Sequence, residues 1–244
     1  MTVMTSATPI PLPSAGEGGP RKGSGEGPAP DCPETSLPSA ACSAGTLPRR
    51  GGRVSGGAVI KIGGSLVSDR TRLRAILAEC ADEAPVAIVP GGGPFADAVR
   101  TTQGQLGFDD AFAHRLALDA MGRMAEVFCA VEPRLTIAAS LEAVADALGR
   151  GRSVIWDPVA LKAGHPDIAE SWEVTSDSLA LWLASVIGAD RCILMKSANS
   201  PAETDPHILA RDGLVDAAFP RFAAAFPGAI VIRGSDAPHE RHAA

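Results

Sequence analysis

Six short apolar runs, at residues 58–62, 85–89, 135–138, 153–156, 191–195 and 229–232, alternate along the chain with longer stretches of helical periodicity. Runs such as Ala58-Val-Ile-Lys-Ile62 and Arg191-Cys-Ile-Leu-Met195 are nearly continuous in Val, Ile and Leu rather than alternating with polar residues. A strand that shows one apolar face would alternate, so these runs suit strands buried on both faces of a mostly parallel sheet. Helices are predicted at about 69–83, 94–104, 109–131, 140–149, 175–188 and 217–226. Strand-helix alternation of this kind predicts an α/β fold, a three-layer αβα sandwich around a mostly parallel central sheet.

The longest predicted helix carries Ala113, Leu116, Ala117, Ala120, Met121, Met124, Val127 and Phe128 at three- and four-residue spacing. Such a stripe is core or dimer-interface material, and a homo-oligomer is expected. Residues 1–57 contain no aromatic residue and are dominated by Gly, Pro, Ser and Thr. That composition cannot bury enough apolar surface to offset its ordering entropy, which predicts a disordered tail at 1–57 before a domain at 58–244.

The formal net charge is -6, and five basic residues of the tail make the remainder more acidic still, which argues against a nucleic-acid partner. The five cysteines, Cys32, Cys42, Cys80, Cys129 and Cys192, form no C-x-x-C pair and no metal-ligand spacing with histidine. No run is apolar and long enough to span a bilayer, and Arg49-Arg50 leads into glycines and a strand rather than a hydrophobic helix. These features point to a cytoplasmic protein with no membrane partner and no dedicated protein metal site.

Chemistry enters where strands run into glycine. Val59-Ile-Lys61-Ile-Gly63-Gly64-Ser65 is a strand that opens into a Gly-Gly-Ser turn, and Ala87-Ile-Val-Pro90 runs into Gly91-Gly92-Gly93 with Pro94 heading a helix. Glycines let backbone approach a ligand, successive amides form an anion-binding concavity, and a helix N-terminus adds a positive dipole end. Neither turn is a Walker A or G-x-G-x-x-G motif. Two further polar segments stand out. Trp172-Glu-Val-Thr175-Ser176-Asp177-Ser178-Leu-Ala180 sets three good capping types before an apolar helix, and Lys196 follows the buried run 191–195.

VIKIGGS, VPGGG, TSDSLA and ILMKS, in that order, resemble the amino-acid-kinase family, the aspartate, acetylglutamate, uridylate and isopentenyl phosphate kinases, over about residues 58–235. The stretches VPGGGPFADAVR and AESWEVTSDSLALW are most similar to the family's branch that phosphorylates [5-(aminomethyl)furan-3-yl]methyl phosphate to its diphosphate in methanofuran-type cofactor biosynthesis. The resemblance implies an ATP- and Mg2+-dependent kinase of a small phosphorylated substrate. Lys61 and Lys196 would grip the phosphates from opposite sides, and Asp177 would hold both lysines. Gly63, Gly64, Ser65 and Ser176 would contact the nucleotide phosphates. Gly91, Gly92 and Gly93 would receive the acceptor, with Arg100 or His114 meeting its phosphate. Apart from the resemblance, Trp156 or Trp172 could stack on a flat ring, although tryptophans are more often core.

The loop Ser197-Ala-Asn-Ser-Pro-Ala-Glu-Thr-Asp205-Pro206 lacks the Asp-Gly pair and aromatic residue found there in many members of the family. This departure keeps two other readings in view: a kinase of another acceptor, such as isopentenyl phosphate, uridylate or an amino-acid carboxylate, and a non-catalytic relative that binds a nucleotide or anion.

Overall fold

Among the described residues, six strands form the sheet: β1 (Ala58–Ile62), β2 (Val86–Pro90), β3 (Thr136–Ala138), β4 (Val154–Trp156), β5 (Arg191–Met195) and β6 (Ala229–Arg233). Each coincides with one of the expected runs to within a residue or so. Their spatial order is β3-β4-β2-β1-β5-β6, and all five pairings are parallel. The computed structural model describes residues 57–82 and 85–236, so the tail expected at 1–57 lies, but for its last residue, outside the described residues.

Among the described residues, seven α-helices flank the sheet: α1 (Arg70–Asp82), α2 (Gly93–Leu106), α3 (Asp110–Val131), α4 (Leu141–Gly149), α5 (Ser176–Ile187), α6 (Pro206–Arg211) and α7 (Phe219–Ala225). Helices α3, α4 and α6 open on ordinary side-chain caps. Asp109 accepts the Phe112 amide at 2.7 Å before α3, and Ser140 accepts the Ala143 amide at 3.2 Å before α4. The short α6, absent from the sequence expectation, is opened by Asp205, whose carboxylate accepts the His207 amide at 2.8 Å, with Pro206 in the first turn.

Strand parity sorts the core into two layers. Val59, Ala87, Val89, Cys192 and Leu194 face one side and pack with α4, α5 and α7. Ala58, Ile62, Val86, Ile88, Ile193 and Met195 face the other and pack with α1. Helix α3 serves both layers: Leu118 and Met121 join the first cluster, and Met124, Ala125 and Phe128 the second. Much of its apolar stripe is therefore used within the chain. The two layers of helices on a parallel sheet are the expected three-layer αβα sandwich.

Connections from β1 run toward β2 and those from β5 toward β6, so the strand order reverses between β1 and β5. Ligands of open parallel sheets bind beyond the carboxyl ends of the strands at such a reversal. Among the described residues, no helix is long and apolar enough to cross a membrane.

Candidate active site

Lys61 has the same parity as Val59, so it leaves β1 on the α5 side of the sheet. In the parallel register Lys61 pairs with Leu194, and Lys196, two residues further, emerges on that same side. Asp177 stands in the first turn of α5 directly between them. Its Oδ1 lies 2.8 Å from Lys61 Nζ, and its Oδ2 accepts a hydrogen bond from Lys196 Nζ at 2.7 Å. All three residues are buried, with Lys61 and Asp177 each 5% exposed. The two lysines and the carboxylate expected to act together are thus one cluster.

Burial opposes ionisation of Asp177, but the charges of Lys61 and Lys196 outweigh it and hold the carboxyl below the usual range. Burial, joined by the charge of Lys61, lowers Lys196 to about 8 against the pull of Asp177. Within this trio two ammonium groups share one carboxylate, an arrangement suited to holding an anion.

Next to the cluster the two glycine turns touch backbone to backbone. A Cβ on Gly64 would sit 2.4 Å from the Gly93 nitrogen, and one on Gly91 would sit 2.6 Å from the Gly64 nitrogen. Gly93 also has φ +52, in the left-handed region. The approach is fixed by a hydrogen bond from the Gly91 amide to the Ile62 carbonyl, 2.8 Å.

A cavity of about 230 Å³ opens on these turns. Gly64, Ser65, Gly91, Gly92, Gly93 and Ser176 line it, as do Arg100 and His114, so the acceptor-side residues named from sequence are brought together. Arg100 stacks on Trp172, 4.2 Å from the ring centroid, and Trp172 donates its indole N–H to Gln103 at 2.6 Å.

Four expectations change in detail. The Gly63 amide donates to the Met195 carbonyl at 3.0 Å and ties β1 to β5, so it is not an open amide for phosphate; Gly64 and Ser65, which head the following 3-10 turn, are better placed. His114 is buried, with Nδ1 3.1 Å from the Ser171 carbonyl, which fixes the proton on Nδ1. Burial lowers its pKa despite that bond, so the ring is neutral and offers no charge to a phosphate; Arg100 does. Trp156 is buried beside Trp182, centroids 5.9 Å apart, and belongs to the core; Trp172 is the tryptophan at the cavity. Finally, Thr175 makes no side-chain cap of its own on α5. The cap comes from Asp216, which was not singled out in the sequence.

In the altered loop after β5, Ser197 Oγ lies 2.7 Å from Ser65 Oγ, Ser200 Oγ accepts the Gly234 amide at 2.9 Å, and the Ser235 hydroxyl meets Asn199 at 2.6 Å. The loop thus binds β1's turn on one side and the end of β6 on the other.

Comparison with solved structures gives likenesses of TM-score 0.56 to a uridylate kinase from Archaeoglobus fulgidus and to a UMP kinase from Bacillus anthracis, each 16% identical. They cover 74% and 75% of this chain and 91% and 88% of those chains. This is the amino-acid-kinase fold. Residues 57–143 also match the model of the amino acid kinase family, a span that holds Lys61 and both glycine turns of the amino-acid-kinase fold but ends before Asp177 and Lys196. A curated relative, the [5-(aminomethyl)furan-3-yl]methyl phosphate kinase of Methanocaldococcus jannaschii, is 30% identical over 144 residues. That alignment takes in 56% of this chain and 63% of the relative, a little under two thirds of its length.

Proposed function

We propose that the chain is an ATP-dependent kinase that extends a small phosphorylated acceptor, and that the acceptor is [5-(aminomethyl)furan-3-yl]methyl phosphate, converted to its diphosphate. One observation carries this reading. Two lysines from the carboxyl ends of adjacent parallel strands share a single buried carboxylate beside a glycine-lined cavity. The choice of acceptor rests on the resemblance of residues 89–100 and 169–182 and on the name of the curated relative.

Phosphoryl transfer is mainly positioning and charge neutralisation. An oxygen of the acceptor phosphate, already ionised near neutral pH, attacks the γ-phosphorus in line. The new P–O bond forms as the bond to the β-bridging oxygen breaks, and ADP leaves with the electron pair. No general base is needed, which fits a site whose nearest histidine is neutral and engaged with a carbonyl. Lys61 and Lys196 neutralise the phosphate oxygens from two sides, and Asp177 holds the two ammonium groups without itself taking a proton. Gly64, Ser65 and Ser176 contact the transferred phosphates. Gly91 to Gly93 and Arg100 hold the acceptor, and Trp172 forms the cavity wall against its ring.

Among the described residues, no group of three or more His, Cys, Asp or Glu is placed to hold a metal. Mg2+ would be held by phosphate oxygens and water rather than by a protein cage. When bound, it supplies further neutralisation of phosphate charge. The reading includes a homo-oligomer built on α2 and α3, where Phe95, Leu106 and Phe112 stand exposed.

ADP release in a coupled assay tests the reading. The furan phosphate is screened beside isopentenyl phosphate, uridylate and amino acids, and it should give the highest kcat/KM. Lys61→Ala and Lys196→Ala should each lower turnover by about a hundredfold or more, the scale of losing one preorganised charge-stabilising group. Near-normal turnover in either variant sinks the lysine assignment.

A further inference from the structure

The turn that presents Asp177 is held from outside its own helix. Asp216, between α6 and α7, accepts through Oδ2 the amide and hydroxyl of Thr175 at 2.9 and 2.8 Å and the amide of Ser178 at 3.0 Å. Its Oδ1 accepts the Ser178 hydroxyl. These four bonds bracket Ser176 and Asp177, so one carboxylate fixes both ends of the turn that lines the cavity and carries the shared anion. Helix caps of the ordinary kind come from the residue just before the helix and accept one or two amides. This one is supplied across the fold.

Asp216 is itself anchored. Val215 and Phe219 on either side are buried in the core, and the Ala218 amide donates to the Glu173 carbonyl at 2.9 Å, tying the same two segments together again. Burial raises the Asp216 carboxyl while the Ser178 and Thr175 bonds draw it down. The bonds to four donors on a turn that touches both halves of the site exceed what holding a three-turn helix requires.

We infer that Asp216 is a positioning residue for phosphoryl transfer: it sets the place of the Asp177 carboxylate between Lys61 and Lys196 and of Ser176 against the cavity, without touching substrate. The inference rests on the kinase reading and adds a residue to it. Asparagine at 216 keeps the shape but removes the charge and turns one acceptor oxygen into a donor, so the bond from the Ser178 hydroxyl is lost in its present direction and the other three become bonds to a neutral acceptor.

The test compares the full chain with Asp216→Asn, with Thr175→Val/Ser178→Ala, which deletes the two hydroxyl bonds and keeps Asp216, and with Ser140→Ala, an ordinary cap on α4 away from the site. kcat and KM are measured with ATP and the furan phosphate, beside thermal melts. Asp216→Asn should lower kcat at least thirtyfold per folded molecule with KM for ATP within threefold. The double variant should fall between it and wild type, and Ser140→Ala should lose stability alone. Equal kcat per folded molecule in all four overturns the inference. If Asp216→Asn does not fold, the double variant decides by the same criterion.

A second readout works without turnover. The charged groups facing Lys196 are Lys61, Asp177 and Asp216. ATP affinity measured by calorimetry across pH should decline in wild type with a midpoint near 8, the value of Lys196. In Thr175→Val/Ser178→Ala, which keeps the Asp216 charge but loosens the turn that holds Asp177 against the lysine, the midpoint should move down by half a unit or more. An unmoved midpoint overturns the positioning role. Wild type that binds ATP but ignores the furan phosphate removes that acceptor instead, and leaves this readout to decide on Asp216.

Discussion

Replacing Gly64 by alanine tests whether contact between the two glycine turns matters to transfer. The new methyl carbon would lie 2.4 Å from the Gly93 nitrogen and 2.5 Å from its Cα, where ordinary contact begins at 3.4 Å. One turn must retreat by about 1 Å, and neither obstacle is a flexible side chain. Small-to-large changes at packed positions cost about 1–3 kcal/mol. For a chain of this size each kcal/mol lowers Tm by about 2–4 °C, so a loss of about 2–12 °C is expected. The kinetic effect should be larger than the loss of stability implies. A 1 Å misplacement of reacting groups costs about a hundredfold in rate, and the turns that separate here are the ones placed against donor and acceptor. The assay is initial-rate ADP release at saturating ATP and furan phosphate, beside a melt of the same sample. Turnover within threefold of wild type, with an unchanged melt, would show that the turns move apart freely and that their contact sets nothing.

The remaining predictions concern charge and burial. Because Lys196 titrates near 8 and the free enzyme needs it protonated to meet an anion, kcat/KM for ATP should fall about tenfold per unit above that pH; Lys196→Arg should remove the fall, and a limb that persists assigns it elsewhere. The folded-state value lies below the ordinary lysine value, so the unfolded chain binds the extra proton between about 8 and 10.5, and this group's contribution to stability rises with pH across that window, readable in melts. Asp177→Asn strands two buried ammonium groups and should cost about 3–5 kcal/mol; a melt shifted by less than 2 °C would count against that burial. Cys192 is buried, and burial pushes its thiol up, so peptide mapping after iodoacetamide should find it unlabelled in the folded protein and labelled in denaturant.

The sheet was legible because strands buried on both faces must be apolar throughout, and 58–62 and 191–195 have that character whatever surrounds them. Lys61 was legible for the converse reason: a lone charge inside such a run, next to glycines, has few places to go. Asp216 was hidden by a plausible local role. It precedes the predicted helix 217–226 and looks like that helix's own cap, and only the packing of α7 against α5 sends its side chain to Thr175 and Ser178. The use of the Gly63 amide was equally hidden, since its partner is a carbonyl of a strand distant in sequence. The polar residues of TSDS do favour a helix start, but which oxygen caps it is a tertiary matter.

The pairing of β1 with β5 places a counting rule on the lysines. Lys61 stands opposite Leu194 and Lys196 lies two steps beyond, so the two agree in odd and even along the strands. Inserting or deleting one residue within 191–195 would send the second lysine to the α1 layer, among Ile62, Leu66 and Ile76, and end the shared carboxylate. Adding two would keep the side and change only the reach. Length variation in these two strands is therefore quantised, and chains that retain this chemistry should differ there by even numbers or not at all.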